Sequence, residues 1–265
     1  IAHNALKAHG RAVQMLRQYG RQKLQIGYAP TAGICYPETD KPEGVEAARQ
    51  GLFSLPQDVE NWTWNVTWFS DPVFFGQYPE EGLKRYEPYL PRITDDDMKL
   101  ISEPIDIYGQ NIYNGRCFRM GADQKPEEVK RYDGFPKTAI DWPVTPEVLY
   151  WGPKFLYERY KTPLYITENG LSCHDVVSLD GKVHDPNRID CLARYLGALS
   201  RAADEIDLRG YFQWSLMDNF EWAKGYSERF GLIYVDYRTQ ERIMKDSAYW
   251  YRDVIQSNGA SLLKK

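Results

Sequence analysis

The chain has 265 residues and a formal net charge of -4 at pH 7, with 33 Lys and Arg against 37 Asp and Glu. This length can hold one large α/β domain with a substantial core, and residues 1–265 are interpreted as a single domain. The slightly acidic balance, with scattered basic residues, gives no reason to expect nucleic acid as a partner. A mean hydropathy of -0.60, without any 18-residue apolar run, argues against a membrane span.

Cysteine spacing and the first residues bear on metal sites and compartment. No C-x-x-C pair occurs, and the four cysteines lie far apart, at Cys35, Cys117, Cys173 and Cys191. Neither a zinc site nor a disulfide framework is therefore predicted. No secretion signal is visible before the first helical pattern. We expect reduced thiols in a cytoplasmic protein that needs no metal or organic cofactor, and we expect the glycosylation sequons at Asn61 and Asn65 to be coincidental.

The N-terminal part of the chain predicts two helices, one strand and a long loop. Residues 1–19 have the apolar spacing of an amphipathic helix, and residues 24–29 read as a strand. Residues 31–55 are rich in Pro, Gly and charge, which indicates a long loop. Residues 58–75 predict a second helix, which Asp71-Pro72 is expected to interrupt.

The middle of the chain continues this alternation. Thr94 opens a capping box, which predicts a short helix to about Ile101. Residues 105–113 predict a strand, residues 114–141 a long polar loop, and residues 146–160 a helix.

The C-terminal part holds the most informative strand. Leu164 to Ile166 is a short apolar run of β-favouring residues stopped by Asn-Gly, so it predicts a buried strand with Glu168 at its end. A helix from residue 186 to 206, a strand near residue 210 and a closing helix follow. Four strands alternating with helices indicate a parallel sheet.

Three segments at these strand ends carry a family resemblance. They are the ITENG segment at residues 166–170, the Gly-x-Asn-x-Tyr pattern at residues 109–113, and the stretch from Tyr211 to Tyr237 that includes WSLMDNFEW. Together they resemble the C-terminal signatures of the family 1 glycoside hydrolases, retaining enzymes of the β-glucosidase type. The family usually has a second aromatic residue where this chain has Ile112. The resemblance implies a (β/α)8 TIM barrel, to which this chain contributes about the C-terminal half, with four strands and their helices.

The resemblance also implies roles for particular side chains. Glu168 corresponds to the nucleophile, and Tyr113 to the phenol that orients it. Sugar-contacting positions of the family correspond to Asn111, Trp142, Trp214, Glu221, Trp222 and Phe230. For the tryptophans the alternative is core packing, and for Asn111 it is a strand-end cap.

The glycone is implied to be a β-linked sugar without phosphate. Branches of the family that take 6-phospho-sugars replace the Glu221-Trp222 pair, and a carboxylate there would repel phosphate.

A retaining glycosidase needs a second carboxyl group as acid/base, about 5 Å from the nucleophile. The family's Thr-x-Asn-Glu-Pro motif, which carries it, does not occur in these residues. Ser102-Glu103-Pro104 is a poor substitute because it precedes a strand. We therefore expect an N-terminal half of the barrel, as a separate or nicked chain, to complete the enzyme. The alternative is an inactive barrel fragment that folds or self-associates and at most binds sugar.

Overall fold

The computed structural model describes residues 1–58 and 65–263. Within these ranges the α-helices are α1 (Ala2–Tyr19), α2 (Pro42–Phe53), α3 (Val66–Phe75), α4 (Glu80–Arg85), α5 (Asp95–Ile101), α6 (Val148–Tyr160), α7 (Pro186–Ala203) and α8 (Asp246–Gln256). The strands are β1 (Gly27–Tyr28), β2 (Ile34–Pro37), β3 (Ile107–Asn111), β4 (Gly115–Met120), β5 (Pro126–Glu128), β6 (Leu164–Asn169), β7 (Leu208–Gln213), β8 (Ile233–Val235) and β9 (Arg242–Met244).

Strands β1, β3, β6 and β7 form one sheet in that order, and every neighbouring pair is parallel. This confirms the parallel sheet that the alternating pattern predicted, although β1 is only two residues long. Because all four strands point the same way, their carboxyl ends meet at one edge. There Asn111 of β3 lies opposite Glu168 of β6.

The main core lies on the helix-covered face of this sheet. Leu164 and Ile166 of β6 are fully buried there and share a cluster with Leu196 and Leu199 of α7. The apolar residues of α7 recur at helical spacing, so one face of this helix packs inward. On the opposite face of the sheet, the ring of Phe212 stacks near Tyr165 and is 57% exposed.

Two predicted loops contain regular structure, so both predictions were wrong. Residues 31–55 hold β2 and α2, and residues 114–141 hold β4 and β5. These strands form a second sheet, with β2 parallel to β4 and β4 antiparallel to β5. The Pro, Gly and charge content of both segments concealed this structure, and among the described strands β2 pairs only with the distant β4. The antiparallel β8–β9 pair was also not predicted, although its two strands are neighbours in the chain.

Helix α3 begins later than predicted and is not interrupted. Asn65 caps its first turn by accepting from the backbone N–H of Trp68 at 2.7 Å, and the Asn65 amide nitrogen donates to a backbone carbonyl. The helix passes through Pro72, while Asp71 accepts bonds from Arg159 and Tyr160 of α6. These contacts with α6 stabilise helix α3, which Asp71-Pro72 alone was expected to interrupt. Residues 59–64 of the predicted helix, and with them the sequon at Asn61, lie outside the described residues.

Two helix-interior glycines make a matched test of packing. A Cβ built on Gly10 of α1 would lie 1.8 Å from the backbone oxygen of Leu100 of α5, whereas one on Gly197 of α7 would meet nothing within 4 Å. Gly10→Ala is expected to lower the free energy of unfolding by about 1–3 kcal/mol through overpacking. Gly197→Ala should raise it by about 0.5–1 kcal/mol through helix propensity. Urea unfolding of both variants measures this, and equal effects would contradict the close α1–α5 approach.

Candidate active site

The end of β6 presents Glu168 through an irregularity in the sheet. Gln110 pairs with Ile166 and Asn111 with Glu168, so Thr167 is an extra residue on β6. Such a bulge turns the side chain that follows it. The backbone remains tied to β3, because the Ile112 N–H donates to the Glu168 carbonyl at 2.9 Å.

Glu168 has a direct side-chain partner in Tyr113. The Tyr113 hydroxyl donates to Glu168 Oε2 at 2.7 Å. Burial raises the pKa of Tyr113, and its hydrogen bond to Glu168 and the nearby charges of Glu168 and Glu221 raise the pKa further. The phenol therefore keeps its proton over the whole neutral and mildly alkaline range and remains a donor.

Aromatic rings form a wall beside this pair. The ring of Trp142 lies edge-on to Tyr113, with centroids 5.1 Å apart, and Phe230 lies 5.9 Å from Trp142 and 6.2 Å from Tyr113. Phe230 is almost fully buried. The wall thus combines a residue just after β3, one from the β5–α6 connection and one from the segment after β7.

Glu221 shares the electrostatic environment of Glu168. Desolvation raises the pKa of the Glu221 carboxyl, a hydrogen bond from the Trp214 side chain lowers it, and the charges of Glu168 and Glu228 raise it. The loop after β7 therefore brings a second carboxyl group and an indole toward the β6 end.

Three other candidate residues have surroundings that differ from those of the aromatic wall beside Glu168. Trp222 is 81% exposed and has a backbone φ of 43°, so it stands apart from the aromatic wall. Asn111 accepts a bond from Thr167 Oγ1 at 2.7 Å, which fits the strand-end alternative because it occupies the amide oxygen. Glu103 precedes β3, at the other end of the sheet from Glu168, and accepts from Gln14 at 2.6 Å.

The sequence did not reveal the importance of Asn169. This side chain is 1% exposed; its Nδ2 donates to the Ile112 carbonyl at 2.8 Å and its Oδ1 accepts from the Tyr211 hydroxyl at 2.9 Å. Its backbone carbonyl accepts from Trp214 N–H at 2.8 Å. Asn169 therefore ties β3, β6 and β7 together directly beside Glu168. The Asn-Gly pair was interpreted only as a strand stop.

Gly170 has no room for a side chain. A Cβ there would lie 1.9 Å from the Trp214 carbonyl oxygen. The ends of β6 and β7 can approach this closely only with glycine at this position.

Within residues 1–58 and 65–263, no three His, Cys, Asp or Glu side chains converge as a metal site would require. Over the same residues, no helix has both the length and the apolar character of a membrane span.

The chain is similar to known β-glucosidases along almost its whole length. The model of glycosyl hydrolase family 1 matches residues 1–260. β-Glucosidase A of Thermotoga maritima is 44% identical over 261 residues, covering 97% of this chain and 56% of that protein. β-Glucosidase A of Acetivibrio thermocellus is 38% identical over 266 residues, covering 98% and 57%. The solved structure of the Thermotoga maritima β-glucosidase with glucoimidazole superposes with a TM-score of 0.80, covering 97% of this chain and 56% of that chain at 44% identity.

The fold is that of a partial β/α barrel, whose described parallel sheet supplies four strands. The chain belongs to glycosyl hydrolase family 1. It spans about half the length of the curated relatives it matches.

The electrostatic coupling of the two carboxyl groups can be measured. Glu168→Gln removes a nearby negative charge, so the pKa of Glu221 is expected to fall. Trp214→Phe removes a donor that stabilises the carboxylate, so the pKa of Glu221 should rise. A ¹³C NMR titration of the Glu221 carboxyl measures both, with Glu241→Gln on the exposed surface as the control. A Glu221 pKa unaffected by Glu168→Gln would show that the two groups do not interact.

Proposed function

We propose that this chain carries the nucleophile and much of the sugar site of a retaining β-glycosidase acting on β-glucosides, β-galactosides or related compounds. The observation that carries the proposal is the 2.7 Å hydrogen bond from Tyr113 to Glu168, at the carboxyl end of a parallel sheet. In β/α barrels this end holds the catalytic groups. The proximity of Glu221 and the aromatic wall supports the same reading.

Glu168 would act as the nucleophile. Its carboxylate attacks the anomeric carbon while the bond to the leaving oxygen breaks, and an acid/base carboxyl group protonates that oxygen. Water, deprotonated by the same acid/base group, then attacks the glycosyl ester and releases Glu168. Two displacements at one carbon return the original configuration. Tyr113 would hold the attacking carboxylate in place and take no proton.

The loop after β7 would bind the glycone. A Glu221 carboxylate can accept bonds from two neighbouring hydroxyls, and the indole N–H of Trp222 can donate to another. Trp214 would form the apolar floor beneath the sugar ring, and Trp142 a platform for the aglycone. The almost fully buried Phe230 would close the side of the site from behind. The exposed Trp222 would have to turn inward to take part.

The acid/base group would come from an N-terminal half of the barrel. A (β/α)8 barrel needs eight strands, and the described sheet has β1 and β7 at its edges. Edge strands offer unpaired backbone groups to another strand, and the exposed ring of Phe212 lies on β7. These features support docking of the missing strands against β1 and β7.

The test is turnover of 4-nitrophenyl β-D-glucoside, by the chain alone and after mixing with the N-terminal segment of the Thermotoga maritima β-glucosidase A. Turnover is expected on mixing, and Glu168→Gln should lower kcat by at least about 10³-fold because the nucleophile is lost. Glu241→Gln, on the surface, should leave kcat unchanged. Circular dichroism verifies folding of each variant. Full activity of Glu168→Gln would disprove the assigned nucleophile.

A second function is favoured by the exposed β7 edge and Phe212. The chain could self-associate through this edge as an inactive fragment that at most binds sugar. Sedimentation analysis distinguishes the two: a stable dimer that never turns over substrate, with or without the N-terminal segment, would support the inactive fragment.

The charge of Glu221 predicts the preferred glycone. Two unit charges 4 Å apart in a partly buried site interact by about 4 kcal/mol. A phosphate on the sugar facing Glu221 should therefore lower kcat/KM by roughly 10²-fold or more relative to the unphosphorylated β-glucoside. Comparing 4-nitrophenyl β-D-glucoside with its 6-phosphate in the mixed enzyme measures the ratio. Equal kcat/KM values would contradict the role given to Glu221.

A further inference from the structure

Six charged side chains lie together behind the β6 and β7 loops, and we name them the charge cluster: Asp175, Asp185, Asp218, Arg188, Arg229 and Lys245. Arg229 is 17% exposed and the side chains of the other five at most 2%. Three positive and three negative groups leave the cluster neutral. Buried charges survive only when paired and hydrogen-bonded in this way.

Asp218 receives the most bonds from the loop itself. Its Oδ1 accepts from Lys245 Nζ at 2.8 Å and from the Gly231 N–H at 3.0 Å. Its Oδ2 accepts from Arg229 at 2.6 Å and faces the Val235 N–H at 3.4 Å. One carboxylate thus links its own limb of the loop to residues 229–235 on the returning limb.

The same loop carries the candidate sugar contacts on both limbs. Asp218 lies four residues after Trp214 and three before Glu221, and its partner Gly231 follows Phe230 directly. The limbs touch, since a Cβ on Gly231 would lie 2.1 Å from the Asp218 nitrogen. Moving Asp218 would therefore move both limbs.

The cluster also joins this loop to the one that follows β6. Lys245 Nζ bridges Asp218 and Asp175, at 2.8 and 2.6 Å, and Arg188 donates to Asp175 at 2.7 Å. Arg188 also donates to the carbonyl of Arg229 at 2.8 Å. The loop after β7 is thus connected by charged groups to the segment that leaves the β6 strand end.

We propose that Asp218, held by Lys245, is a positioning residue for the glycone site: it keeps Glu221 and Phe230 at a set distance from Glu168. The expected effect of Asp218 on catalysis rests on the proposed function, whereas its effect on the position of the loop does not. Apolar residues of equal volume often stabilise a protein as well as a buried ion pair does. Apolar side chains, however, cannot form the four directed bonds by which Asp218 sets the positions of two chain segments.

Two variants and one matched control test the proposal. Asp218→Asn keeps the shape but removes the charge, and Asp218→Asn with Lys245→Met restores a neutral cluster if the single variant folds poorly. The control is Asp71→Asn, since Asp71 is equally buried and paired with Arg159 and Tyr160 but lies at the other end of the sheet.

The first measurement is hydrogen exchange of the full 265-residue chain, which needs no turnover. Faster exchange at residues 214–235 is expected for both Asp218 variants, and near α3 and α6 for Asp71→Asn. Unchanged exchange at 214–235 would overturn the positioning role, whether or not the chain proves to be a glycosidase.

The second measurement is a double-mutant cycle with Glu221→Gln in the mixed enzyme, using 4-nitrophenyl β-D-glucoside. Asp218→Asn should lower kcat/KM about 10²-fold when Glu221 is intact, the cost of a misplacement near 1 Å. With Gln at position 221 it should cost clearly less, since the Glu221 carboxylate that Asp218 positions is then absent. Equal losses in both backgrounds would indicate general destabilisation and overturn the proposal. If the wild type shows no turnover, the proposed function fails and hydrogen exchange alone decides the loop-positioning claim.

Discussion

The arrangement of the site depends on how β6 is held between β3 and β7. Asn169 bonds to both neighbours through a buried side chain, and the preceding bulge turns Glu168 toward Tyr113. A buried amide is costly to leave unpaired, so loss of any one partner penalises the others. The same contacts therefore fix both the register of β3, β6 and β7 and the direction of the Glu168 carboxylate. The rings and the loop after β7 are arranged around it.

Local signals were enough to predict the main sheet and the Glu168 strand. Leu164 to Ile166 is short, apolar and stopped by Asn-Gly, and α7 has a continuous apolar face, so neither needs distant information. The contact between Tyr113 and Glu168 came from the family resemblance, since no spacing rule joins residues 55 positions apart. The parallel sheet could be inferred from pattern, whereas the barrel and the candidate site came from the family resemblance.

Several of the missed features depend on contacts between distant residues. β2 pairs with β4 about 80 positions later, so its composition gave no strand signal strong enough to outweigh its prolines and glycines. Asn169 and Asp218 are short polar residues whose meaning comes from partners 27 to 57 positions away. For Trp222 the motif predicts a sugar contact; its side chain is mostly exposed, and the contact stays a prediction.

The position of the core has a consequence for how this fold can vary. Helices α6 and α7 bury one side of the sheet, whereas the side that bears Tyr165 and Phe212 is left largely outside that packing. Replacements on the second side therefore do not open cavities in the first. The two faces of the sheet can therefore change largely independently of each other during evolution.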